Sequence, residues 1–319
     1  MVNSDSSLNK FIVSVAIYFA MSINIAYGDF SVFANFGSKW GDPVHGTVSD
    51  TITWSFMSDL TTLAASHPLL SEVVGGASAG SSISTLQSSF DTANGSGSFV
   101  NAFQNAFNTW SSASGGRVMF QFVADNGAIA GDSNNPASSA VDIRIGAFHS
   151  VANSGFAGIG AVGYGPPGND LNMFFRDALA GDVILNLDSQ FFRAPGNEGD
   201  IFYNGGAYVN DLEGLVLHEL GHAAIGLGHS FNGVFPGQGD VMYVDNFPTS
   251  VNFINRQPSA QDIAGLQSVY GITAVPEPSS LVFAFCLAVA GTTFRFCRHP
   301  GKRFANCTSN EPKDNRRRA

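Results

Sequence analysis

Apolar residues recur along this chain with two periods. Residues 49–57, SDTITWSFM, alternate β-branched or aromatic residues with small polar ones and predict a strand. RVMFQFVAD (117–125) and AVDIRIGAF (140–148) alternate in the same way, GDVILNLD (181–188) predicts a further strand, and GAVGYGPPG (160–168) a short extended piece before a turn. The helical period appears in SFVNAFQNAFNTWSSASG, where Phe99, Ala102, Phe103, Ala106, Phe107 and Trp110 share one face, with an end near Gly115-Gly116. Residues 207–226, AYVNDLEGLVLHELGHAAIG, predict a second helix. PSAQDIAGLQSVYG predicts a third, with Ser259 as N-cap and Gly271 as the stop. Residues 58–97 are rich in Ser, Gly, Ala and Thr without a strong period and read as a long connection with short helical pieces. Strand, helix, several strands, helix, loop and helix make an α+β domain with one mixed twisted sheet and three helices. No internal repeat is visible.

The ends read differently. Lys10 precedes the apolar run FIVSVAIYFAMSINIA, and small residues at Ala26 and Gly28 suit cleavage before Asp29, so 1–28 is expected to be a secretory signal. A globular domain over 29–272 comes next. Residues 273–319 form a tail: VPEPSS, then the 14-residue apolar LVFAFCLAVAGTTF, then RFCRHPGKR. The apolar run is short for a spanning helix and the basic end would stay cytoplasmic, which suggests a transient membrane tether.

Charge and cysteine sharpen this. Residues 29–276 carry six Lys/Arg against 21 Asp/Glu, a net charge of −15, which argues against nucleic acid and anionic membrane surfaces as partners. It suits an extracellular setting and allows Ca²⁺: Asp125, Asp132, Asp170, Asp182 and Asp188 sit at loops or strand ends, without EF-hand spacing. All three cysteines, Cys286, Cys297 and Cys307, lie in the last 34 residues, so no disulfide framework supports the domain.

The chemistry is concentrated in HELGHAAIGLGH, His218 to His229. His218 and His222, four apart on a helix, lie one turn above the other and can hold one metal from the same side. Glu219 sits about 100° round, placed to act as general base on a water at that metal without being a ligand. His229 is the candidate third ligand, with an Asp or water as the alternative. Glycines 226 and 228 allow the chain to turn back, since glycine adopts the left-handed conformation that ends helices. His149, His45 and His67 read as surface or strand-end residues.

These residues resemble the metzincin pattern HExxHxxGxxH, with Ile225 in place of the glycine and one residue more before His229. Thirteen residues past His229, GDVMYVD supplies Met242, similar to the methionine turn beneath the metal in that group. KWGDP with TITWSF, AFNTWSSASG, VDIRIGAF with GDVILNLD, and SAQDIAGLQSVYG resemble successive elements of secreted bacterial matrixin-type metalloproteases. The resemblance implies a metzincin-like fold and endopeptidase activity. It implies one catalytic Zn²⁺ on His218, His222 and His229, Glu219 as base, and Met242 as the turn. An extended peptide or protein substrate would pair with the edge near Ala161, Val162 and Gly163, with Tyr243 at the side-chain pocket. The tail resembles a PEP-CTERM sorting signal, which implies an exosortase-type processing partner at the membrane of a Gram-negative-type exporter. A non-catalytic extracellular matrix protein retaining fold and metal is the alternative.

Overall fold

A computed structural model describes residues 33–35, 38–131, 141–167, 179–202, 209–230, 240–243 and 252–271, all in the first of two compact units, Met1–Thr273. The expected signal, the sorting tail, Asp132 and Asp170 lie outside the described residues. In chain order the elements are β1 (Phe33–Asn35), β2 (Thr51–Phe56), α1 (Ile83–Asn94), α2 (Ser98–Ala113), β3 (Met119–Phe122), β4 (Ile143–Phe148), β5 (Ala161–Gly163), β6 (Val183–Asn186), β7 (Gln190–Phe192), β8 (Ile201–Phe202), β9 (Val209–Asp211), α3 (Leu212–Leu220), β10 (Leu227–Ser230), β11 (Asn252–Phe253) and α4 (Ala260–Tyr270). No helix among the described residues is long and apolar enough to cross a membrane.

The fold is α+β with a mixed five-stranded sheet in the order β3-β2-β4-β6-β5. β3, β2, β4 and β6 run parallel, and β5 closes one edge antiparallel to β6. Pairs β1-β10, β7-β9 and β8-β11 lie outside this sheet. Among the described residues there are four α-helices rather than three. The extra one, α1, lies in the Ser-rich stretch expected to be a long connection with short helical pieces. Its apolar stripe is sparse, only Ile83, Leu86 and Phe90, but all three are buried, so tertiary packing rather than intrinsic propensity carries the helix.

α2 and α3 cover one face of the sheet. The α2 stripe Phe99, Phe103, Phe107 and Trp110 is fully buried, with Trp54 of β2 stacked on Phe107 at 4.4 Å and Phe56 edge-on to Phe103 at 5.0 Å. The Trp110 indole N–H donates to Leu217 O at 2.9 Å and so ties α2 to α3. β4, expected to alternate, is buried at all six positions because both faces of the sheet are covered. On the second face a smaller core forms around Met57, Leu63, Val73, Phe148, Phe156 and Ile184. There the buried Arg144 donates to Asp125 at 2.9 Å and to Ala128 O at 2.8 Å. Burial alone would raise the Asp125 carboxyl, but Arg144 holds it below the usual range.

His67 departs from its surface reading. It is 3% exposed, its Nδ1 accepts from the Leu69 N–H at 3.1 Å, and its ring stands edge-on to Tyr164. Burial pushes its pKa down to about 4. A histidine buried neutral resists protonation that the unfolded chain accepts, so stability is lost as pH falls from about 6.5 to about 4. His67→Phe is expected to flatten that limb of the profile. Urea melts of parent and variant at pH 7 and pH 4.5 check this, with a difference of at most about 1.4 kcal/mol per pH unit.

Candidate metal centre

α3 begins later than its apolar pattern suggests. Residues 209–211 pair as β9 with β7, and the helix starts at Leu212 because Asp211 caps it, accepting from the Gly214 N–H at 3.0 Å. Arg256 clamps the same carboxylate through Nε at 2.8 Å and Nη2 at 2.6 Å. The helix is α-form to Leu220 and continues over Gly221–Ile225 as a π-turn. It stops at Gly226, whose φ of 82° is left-handed and whose N–H returns to His222 O at 3.1 Å. A π-turn accommodates one residue more than an α-turn. The chain then enters β10, which pairs with β1 and carries His229.

This path brings three imidazoles together. His222 Nε2 lies 3.2 Å from His218 Nε2 and 3.1 Å from His229 Nε2, and all three lie within 4.8 Å of one another. Backbone carbonyls set two tautomers. His218 Nδ1–H donates to Val241 O at 2.6 Å, and His222 Nδ1–H donates to Leu227 O at 2.7 Å. The Nε2 lone pairs of both are therefore directed at the common point. Burial lowers the pKa of all three rings: His218 below its ordinary value, His222 well below it with His218 adding to the effect, and His229 to about 4. At neutral pH the cluster is uncharged and offers nitrogen lone pairs, the state a metal requires.

Glu219 is 5% exposed, and burial pushes its carboxyl up to about 8 while the Gly163 backbone N–H opposes that shift. A cation held by the neighbouring histidines would favour the ionised form. Gly163 is required there, since a Cβ would stand 2.5 Å from the Glu219 carbonyl oxygen. Ala161, Val162 and Gly163 form β5, the antiparallel edge beside α3. Tyr164 N–H donates to Asp182 O, so by antiparallel alternation Ala161 and Gly163 turn their backbone groups to the open side. Gly163, expected to touch substrate, thus also orients Glu219.

Met242 is fully buried, and a side chain at Gly221 would overlap its sulfur, so the Met242 thioether packs under the helix between His218 and His222. Tyr243 is half-buried and bridges to Ser230. Residues missed by pattern reading hold this turn. Asp262 accepts from Val241 N–H at 2.8 Å and Met242 N–H at 3.3 Å, and completes a capping box with Ser259. Asp240 binds Ser259 Oγ at 2.6 Å and also Ser230 Oγ. The S-x-x-D spacing of Ser259 and Asp262 was the available signal.

Among the described residues no other group of His, Cys, Asp or Glu could hold a metal ion. Of the acidic residues considered for Ca²⁺, Asp125 is committed to Arg144. Asp182 is fully buried, with burial raising its carboxyl well above the usual range. Asp188 bonds His149 Nδ1 at 2.8 Å and the Ser150 backbone N–H at 2.8 Å, and His149 is exposed just past β4. His45 is exposed in a turn. No protein-family model matches the chain, and no curated protein matches it in sequence.

Proposed function

We propose that this chain is an exported zinc-dependent endopeptidase of metzincin type, with His218, His222 and His229 as ligands and Glu219 as general base. The observation that carries the reading is the convergence of three uncharged imidazoles on one point. The Nε2 lone pairs of His218 and His222, 3.2 Å apart, repel unless something positive lies between them, and His229 Nε2 lies 3.1 Å from the same His222 nitrogen. Nitrogens bound tetrahedrally at about 2.0–2.1 Å stand about 3.3 Å apart, close to the two edges that meet at His222. The donor set is all imidazole, which suits zinc rather than calcium.

Zinc bound there supplies Lewis-acid polarisation of the scissile carbonyl and the attacking water. The protein's own residues do the rest. Glu219 takes the proton from that water and returns it to the leaving amine. β5 receives the substrate as an added antiparallel strand, and Tyr243 borders the side-chain pocket. Met242 and the Val241 carbonyl hold His218 in register from beneath.

A buried general base beside the histidines favours an enzyme over a metal-binding matrix protein, because a structural zinc site has no use for Glu219. Processing of the tail by an exosortase-type partner belongs to the same reading. The test is digestion of a mixed peptide library by the zinc-loaded full chain. Cleavage that a chelator stops and zinc restores is expected. No cleavage by a preparation carrying one zinc per chain would leave the matrix-protein reading.

A further inference from the structure

As at any helix end, the last turn leaves backbone carbonyls that the helix cannot satisfy, and two distant aromatic residues take two of them. The Trp40 indole N–H donates to Ala223 O at 2.9 Å. The Tyr270 hydroxyl donates to Ala224 O at 3.0 Å and accepts from the Trp40 backbone N–H at 3.2 Å. The clamp is itself braced. Lys39 Nζ lies 5.0 Å over the Tyr270 ring and donates to Trp40 O at 3.1 Å and to Thr47 Oγ1 at 3.1 Å. Gly181 leaves room for the indole, since a Cβ there would stand 2.7 Å from Trp40 Cζ2. Ala223 and Ala224 are fully buried, so no water replaces these donors cheaply.

We propose that Trp40 and Tyr270 are positioning residues of the metal centre, holding the helix end open as a π-turn so that the seven-residue step from His222 brings His229 into reach. The proposal rests on the metal-site reading above. An α-turn in place of the π-turn would shift the downstream chain by one residue, about 100° of helix rotation, and carry His229 away from His218 and His222. His222 is tied to the same turn, because its Nδ1–H partner is Leu227 O, just beyond Gly226. The residues that end the helix therefore set two ligands, although neither Trp40 nor Tyr270 touches the metal point.

The experiment uses the full chain with Trp40→Phe and Tyr270→Phe, each of which keeps a ring and removes a donor. Val73→Ala, in the layer across the sheet, is the control for general loosening. Zinc affinity is measured by chelator competition, and exchange of the Gly226 amide is measured in the metal-free proteins. Both variants are expected to bind zinc about 10- to 100-fold more weakly and to exchange Gly226 at least about tenfold faster, with the control unchanged in both. Affinity within twofold of the parent, or unchanged exchange, in the folded variants overturns the proposal. If the parent itself binds no zinc, the endopeptidase reading falls and the Gly226 exchange alone decides the clamp. Should Trp40→Phe fail to fold, Tyr270→Phe, which deletes a single oxygen, decides alone.

Discussion

Glu219→Gln is expected to lower kcat/KM for peptide cleavage by about 10²- to 10⁴-fold while zinc remains bound. The reason is local. Glu219 lies on the helix that carries His218 and His222, is buried, and has the Gly163 N–H as a backbone partner. Glutamine keeps the volume and can still accept from Gly163 through its carbonyl, but it has no proton affinity to activate water. Thermal melting and zinc content should therefore stay near the parent values while activity is lost. An active Glu219→Gln protein would remove Glu219 from the mechanism. A variant that loses zinc along with activity would show that the carboxylate serves the metal's retention instead.

The second large effect is on stability. A ligand that binds only the folded state at about a thousand times its dissociation constant adds about 4 kcal/mol. For a domain of this size that raises Tm by roughly 8–16 °C. Zinc is expected to give such a rise with the parent and none with His222→Ala, which removes the nitrogen common to both short edges of the cluster. Melts with and without zinc that coincide for the parent would contradict the metal site outright. The metal-free protein should retain its sheet and helices, because Trp54, Phe103, Phe107 and Trp110 are buried independently of the histidines.

A feature is legible in the sequence when the partners it depends on are near in the chain. The α2 stripe and the capped start of α4 depend on neighbours three or four positions away, and both could be read directly. The position and length of α1, beyond short helical pieces, could not, because three apolar residues in a Ser-rich stretch become a helix of that length only when a surface is present to bury them. The start of α3 was misplaced for a related reason. Residues 209–211 fit a helix by composition, but pairing with β7 and the Arg256 contact to Asp211 make them strand and cap. His67 looked like a surface residue because nothing nearby in sequence announces the layer that covers it.

The sequence by itself determined which residues form the candidate site. HELGH places two imidazoles and a carboxylate on one helix by geometry that no partner needs to supply, and Gly226 permits the turn after it. Only the tertiary structure decided how the long step to His229 is spanned. The carbonyls of the helix's last turn lack helical partners, and here Trp40 and Tyr270 supply donors to two of them from 183 and 46 residues away in sequence. The tautomers of His218 and His222 were decided in the same way, by carbonyls of Val241 and Leu227. Local spacing encodes the imidazoles, whereas long-range hydrogen bonds to an irregular backbone set where they point.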